Sequence, residues 1–157
     1  ALNAGAAGNF GFQWDATWVK SYKYQNSPTD PLKENVGMYV DSSPVFRWQH
    51  TVSVAWTLGD YRTRLGIRNK SGYTDQNAPT TVVGGPSFYQ DVKAYTLVDL
   101  SLTAKVNKML TVTGGVTNLF DTDPPFSNQS TRSQRGYDPR YTDPTGRALF
   151  VRGSLTF

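Results

Sequence analysis

The chain has 157 residues and a mass of 17.4 kDa, enough for one ordinary domain. Hydrophobic residues make up 38% and aromatics 13%, with 14 Gly, 9 Pro and no Cys; this excludes disulfides and thiolate metal sites and favours short strands joined by turns over helices. The net charge of +4 gives no reason to expect a nucleic-acid partner, and a mean hydropathy of -0.49 leaves the membrane question open, because barrel strands place a polar residue at every second position.

Ala1 to Gly8 is small and flexible, without an initiating Met or a basic start, so it does not read as a signal peptide. The first informative segment is Phe10 to Tyr24. Phe10, Phe12, Trp14, Ala16, Trp18, Lys20, Tyr22 and Tyr24 alternate with Gly11, Gln13, Asp15, Thr17, Val19, Ser21 and Lys23. A period of two with aromatics on one side predicts a strand between two different environments. Val45 to Leu58 repeats the pattern, with Phe46, Trp48, His50, Val52, Val54, Trp56 and Leu58 opposing Arg47, Gln49, Thr51, Ser53 and Thr57. A turn at Gly59-Asp60 leads into Tyr61 to Lys70, where Tyr61, Thr63, Leu65 and Ile67 oppose Arg62, Arg64, Gly66, Arg68 and Lys70. Ala94 to Val106, Leu110 to Thr117 and Leu149 to Phe157 complete six predicted strands, the first two of these joined at Asn107-Lys108.

Connection lengths carry more information than any single strand. Tight turns near Gly59 and Asn107 alternate with long polar loops at Gln25–Pro44, Ser71–Lys93 and Asp121–Arg147. Short turns at one end and long loops at the other are the pattern of transmembrane β-barrels, with the long loops outside. Trp48 and Trp56 sit on the same face, roughly 26 Å apart at ~3.3 Å per residue. Tilting the strand by ~40° projects that to roughly 20 Å, near the ~25 Å apolar band between aromatic girdles. Trp14, Trp18, Tyr22, Trp48 and Trp56 are therefore the expected girdle residues. About six strands cannot close a barrel when the smallest bacterial ones have about eight, and open edges in lipid leave backbone groups unpaired. The chain is expected to be part of a larger polypeptide.

Tyr95 to Phe120 resembles the penultimate hairpin of TonB-dependent receptors: Val-Asp-Leu at Val98 to Leu100, a short turn, then a Gly-rich strand ending Asn-Leu-Phe-Asp at Asn118 to Asp121. Asp123-Pro124-Pro125-Phe126, Gly136-Tyr137-Asp138-Pro139-Arg140 and Gly146-Arg147 match a proteobacterial branch of that family, and the aromatic Phe157 suits recognition by the barrel-assembly machinery. The family signal often has Gly where this chain has Arg152, one position before Gly153. The resemblance is strong over 94–157 and looser over 10–73. It implies an all-β, antiparallel transmembrane segment within a barrel of about 22 strands closed around a plug, with all of 1–157 the C-terminal part of that barrel. It also implies outer-membrane localisation, contact with lipid and lipopolysaccharide, and coupling to TonB-ExbB-ExbD through a segment not included here. Asn-Leu-Phe-Asp and the Pro pair read as strand exit and loop rigidity.

Alternation turns Arg47, Arg62, Arg64, Arg68 and Lys70 toward the lumen. Arg47, Arg62 and Arg64 are expected to face the plug, whereas Arg68 and Lys70, nearer the outer loops, are candidates for an anionic ligand. Tyr73, Tyr89, Phe126, Arg132, Arg135 and Tyr137 are further ligand candidates, because aromatics and Arg on outer loops suit capture of a bulky molecule. The same side chains also suit packing of loop against loop. Leu155 and Phe157 are the expected assembly signal. His50, the single histidine, has lipid-facing parity, and Asp121, Asp123, Asp138 and Asp143 lack the regular spacing of a calcium loop. No catalytic residue, metal or cofactor is expected. The expected function is energy-coupled uptake of a scarce ligand such as a ferric siderophore; a passive porin or autotransporter pore is the alternative.

Overall fold

The computed structural model describes residues 2–40, 43–75, 90–127 and 136–157. Among these, seven strands form one antiparallel sheet in simple chain order: β1 (Leu2–Asn3), β2 (Asn9–Trp18), β3 (Trp48–Leu58), β4 (Tyr61–Lys70), β5 (Tyr95–Lys105), β6 (Leu110–Thr117) and β7 (Ala148–Leu155). Each strand pairs only with its chain neighbours, so every connection returns at the end where the previous strand stopped.

Register gives the sheet two chemically distinct faces. One rung runs Phe12–Val54–Leu65–Leu100–Val116–Leu149 across six strands, and the next runs Phe10–Trp56–Thr63–Leu102–Gly114–Val151. On the opposite face a rung reads Asn9–Thr57–Arg62–Thr103–Thr113–Arg152. Among the described residues nothing covers the apolar side chains of the first face: Phe12 is 70% exposed, Trp14 56%, Leu149 81% and Val151 82%. A sheet that leaves an apolar face without a second layer among the described residues offers that face to a non-aqueous neighbour. The 11 residues of β3 span roughly 33 Å at ~3.3 Å each, or about 25 Å once tilted by ~40°.

The tight turns have local causes. Gly59 takes φ 55 at the first position of the β3–β4 hairpin, a value that a side chain with Cβ resists. At the β5–β6 turn the Asn107 carboxamide oxygen accepts the amides of Met109 and Leu110, both at 2.8 Å. On the polar face Gly115 lies under the ring of Phe150, its register partner, so a Cβ there would stand 2.6 Å from the ring and 2.7 Å from the Leu100 carbonyl.

Three expectations are corrected. The first strand ends at Trp18 instead of Tyr24, because the Val19 amide makes the last bond to Arg47 and Glu34 then captures Ser21 and Tyr22. The second strand starts at Trp48 and not Val45, and Phe46 turns away from the apolar face into a loop core, 7% exposed. The sheet has seven strands, since Leu2–Asn3 also pairs with β2. The described parts of the long connections between these strands all lie at one end and contain short ladders: Lys23–Tyr24 with Lys33–Glu34, Tyr39–Val40 with Ser43–Pro44, and Tyr73–Asp75 with Gln90–Val92.

Candidate functional site at the outer rim

The long loops pack on one another. Tyr39 from the first, Tyr73 and Val92 from the second, and Phe46 beside β3 form a buried cluster, with Tyr141 of the third loop against it. Tyr73 stacks on Tyr39 at 6.2 Å, and Phe46 meets Tyr73 and Tyr141 edge-on at 5.8 and 5.1 Å. Of the aromatics that read from sequence as a capture surface, Tyr73 lies in this small core.

Charged groups lock this core together. Arg140 donates from Nε to Asp138 Oδ1 at 3.0 Å and from Nη2 to Asp138 Oδ2 at 2.6 Å, while Nη2 also donates to the Tyr39 hydroxyl at 2.7 Å. Its guanidinium lies 5.6 Å from the Tyr39 ring centre and 5.1 Å from that of Tyr141. Asp138 is 1% exposed, so its carboxylate depends on that cation. The same pairing raises the Arg140 pKa further above its usual value. Lys70, at the outer end of β4, donates to the Tyr141 carbonyl at 2.7 Å and lies 5.8 Å from the Phe46 ring centre. The Tyr141 hydroxyl pairs with Ser43 Oγ at 2.8 Å, and the Tyr95 hydroxyl donates to the Asp143 carbonyl at 3.0 Å. In a further buried contact, Ser127 donates to Asp75 at 2.8 Å. Burial pushes the Tyr73 hydroxyl up to about 12, against a smaller opposing effect from its hydrogen bond with Ser127.

Below this rim, Asp15, Gln49, Thr51, Arg68, Lys70 and Tyr95 of the polar face, roofed by residues 140–143, border an open cleft of about 900 Å³. Arg68 is not a free cation. Its guanidinium meets Asp99 at 3.0 Å, the diagonal neighbour on β5, with side-chain exposures of 53% and 31%. Asp99 also accepts the Asn118 amide at 3.0 Å. The carboxylate of the Val-Asp-Leu segment thus pins the start of Asn-Leu-Phe-Asp.

That second segment is a strand-exit device, as its sequence suggests. Asn118 and Asp121 adopt φ 51 and 56, and the Asn118 side chain brackets the turn by accepting the Thr122 amide at 2.8 Å and donating to the Thr122 carbonyl at 3.0 Å. Asp121 accepts the Arg147 amide at 2.7 Å, closing the stem of the last loop. Gly146, at φ 72, passes so close that a Cβ there would lie 3.1 Å from Asp121 Oδ1.

The candidate residues separate accordingly. Lys70 and Tyr73 belong to the rim core, Arg68 lines the cleft beside Asp99, and Phe126 is 54% exposed. Tyr137 is partly buried at the third loop, whereas Tyr89, Arg132 and Arg135 lie outside the described residues. Arg62 and Arg64 stand exposed on the polar face; Arg47 lies just before β3 and donates to the Lys20 carbonyl at 3.2 Å. Trp14, Trp18, Trp48 and Trp56 occupy the apolar face, while Tyr22 lies beyond the end of β2. Leu155 pairs with Leu110, and Phe157 is fully exposed past β7. Sequence reading missed Arg140 as the tie between loops. Its signal was an acid and an Arg flanking Pro139, two residues apart in a loop otherwise rich in turn formers.

A sequence profile described as TonB dependent receptor-like, beta-barrel matches residues 2–119. Among solved structures, a mutant of the ferric enterobactin receptor PfeA from Pseudomonas aeruginosa is similar in fold, with a TM-score of 0.63 at 17% identity. The match covers 99% of this chain and 21% of that receptor. No curated protein sequence matches.

Proposed function

Because the chain belongs to the TonB-dependent receptor β-barrel family, we propose that it forms one wall of an outer-membrane receptor that imports a scarce ligand, such as a ferric siderophore, with energy delivered through TonB. The carrying observation is the joint one of a two-faced antiparallel meander and long loops fused into a rim at one end only. The apolar face would meet outer-membrane lipid and lipopolysaccharide, with Trp14, Trp18, Tyr22, Trp48 and Trp56 near its borders. In this reading the sheet continues into a closed barrel of about 22 strands, of which residues 1–157 are the C-terminal part, and the polar face looks onto a plug. Leu155 and Phe157 would serve as the signal for the barrel-assembly machinery.

The cleft under the rim supports a ligand path. It is wide, open and edged by Arg68, Tyr95 and the roof at 140–143. A bulky chelate could be held there by aromatic contact and hydrogen bonds, with Phe126 and Tyr137, and Tyr89, Arg132 and Arg135 from their loops, as further contacts. The family is one of transport receptors, and the function proposed is transport, not catalysis.

The test is uptake of radiolabelled ferric siderophores by cells carrying the whole receptor, with and without TonB. Uptake that saturates and disappears without TonB supports the proposal. Uptake that persists without TonB and rises linearly with concentration makes the protein a passive pore.

A further inference from the structure

Among the described residues, five charged side chains line the cleft under the rim: Asp15 of β2, Arg68 and Lys70 of β4, and Arg140 and Asp143 of the roof. Each cation among them is already engaged. Arg68 pairs with Asp99 at 3.0 Å, Arg140 with Asp138 at 2.6 Å, and Lys70 donates to the Tyr141 carbonyl at 2.7 Å. The lining carboxylates stand differently. Asp15 and Asp143 are exposed, and neither forms an ion pair with a described residue. Asp15 accepts the Gln13 carboxamide at 2.8 Å, and Asp143 accepts the Thr145 amide at 2.9 Å. Thr145 holds the Asp143 carboxyl below its usual range, with a smaller contribution from the nearby Arg68. Arg68, Lys70 and Arg140 are thus set against Asp15, Asp99, Asp138 and Asp143, a balance of one negative charge. Register adds neutral groups to this surface. Asp15, Thr51 and Arg68 share one rung of the polar face, and Thr17, Gln49 and Lys70 the next one outward.

We infer that this wall of the cleft selects an uncharged ligand rich in hydroxyl or amide groups and disfavours a polyanion, with Asp15 and Asp143 as its specificity-determining residues. An anion gains little from cations that already have partners, and it meets two carboxylates without ion-pair partners. Arg68 and Lys70 suit an anionic ligand by sequence position alone, but Asp99 and the Tyr141 carbonyl take up that capacity. A cationic ligand reaches Asp15 and Asp143 only with Arg68 and Lys70 close by. A hydroxyl or an amide both donates and accepts. It can donate to the two carboxylates and accept from the Thr17 and Thr51 hydroxyls, the Gln49 carboxamide and the remaining N–H groups of Arg68. An oligosaccharide and an uncharged ferric hydroxamate chelate offer this same chemistry, and the test tells them apart.

The inference rests on the receptor reading and narrows its ligand, and the experiment separates the two. Thr51→Cys, beside Asp15 and Arg68, is placed in the purified whole receptor, with the receptor lacking that substitution as the blank. Migration of boiled and unboiled samples on gels confirms that each barrel is closed. Reaction rates with a cationic and an anionic methanethiosulfonate of matched size are each divided by the rate of a small free thiol. The cationic reagent should lead by roughly fivefold at low salt. Asp15→Asn plus Asp143→Asn, which removes the charges and keeps an acceptor oxygen at each position, should bring the ratio to one or below. Three probes are then tested for protection of the thiol: an uncharged ferric trihydroxamate, an uncharged oligosaccharide and a trianionic ferric triscatecholate. One uncharged probe should protect at a concentration at least roughly tenfold below that of the trianion, and which one it is identifies the source. A ratio at or below one before the Asn changes overturns the inference, as does protection first by the trianion or by neither uncharged probe. Equal accumulation of the protecting probe by cells with and without TonB sinks the receptor reading instead, and leaves the charge preference of the cleft standing.

Discussion

Arg140 carries the most consequence of any single side chain described. Removing it leaves the Asp138 carboxylate, 1% exposed, without its cation and the Tyr39 hydroxyl without that donor. Breaking one side of such a pair costs about 3–5 kcal/mol. Arg140→Met should therefore speed hydrogen exchange at the Tyr141 and Thr142 amides, both bonded to the Asp138 carbonyl; unchanged protection there would remove Arg140 from its role as the tie. Tyr73 makes a pH prediction. Its ordinary value of 10.0 is raised by burial to about 12, so the folded rim holds the neutral phenol while an unfolded chain ionises it. That contribution is complete below pH ~10 and is lost as pH climbs from about 10 to about 12. Absorbance titration should show a late tyrosine ionisation that is reduced by one group in Tyr73→Phe, and a rim in that variant that survives further into alkali. Ionisation of every tyrosine near 10 would contradict the buried setting.

Single strands were legible because period two is visible without any partner. Tyr61–Lys70 is found as the sequence predicts, and the hairpin at Gly59-Asp60 with it. The alternation also yields a prediction at this scale. Leu100→Arg, central on the apolar face, should cost roughly 2–4 kcal/mol in a bilayer, while Ser101→Arg, one residue on, should cost only about 0.2–1 kcal/mol, from the like charge of Arg64 opposite it. Urea unfolding of the reconstituted receptor measures both, and equal effects would deny that the two faces differ. Strand ends were less legible. Phe46 and Tyr22 keep the alternating parity, but tertiary contacts decide their fate: Phe46 joins the rim core, and Glu34 draws the Tyr22 amide out of the ladder at 2.8 Å. Within the loops, pairing depends on residues tens of positions apart, as in Tyr39 with Tyr73 or Ser43 with Tyr141. No local pattern announces such contacts. The Arg68–Asp99 pair was hidden for a related reason, since it appears only once β4 and β5 are set in register.

For the molecule as a whole, the parts agree in direction. Apolar rungs, a hydroxyl and cation wall, tight turns at one end and a cross-braced rim at the other each ask for a membrane on one side and a polar interior on the other. Among the described residues the three loops are joined through Tyr39, Tyr73, Phe46 and Arg140. No Cys of this chain competes for reagent in the deciding measurement. Single cysteines placed in turn at residues 98–105 of the whole receptor, in intact outer membranes, are challenged with a water-soluble and a lipid-soluble thiol reagent. The account predicts strict alternation, with the water-soluble reagent reaching positions 99, 101, 103 and 105 and the lipid-soluble one reaching 98, 100, 102 and 104. Uniform labelling by the water-soluble reagent at every position would contradict it.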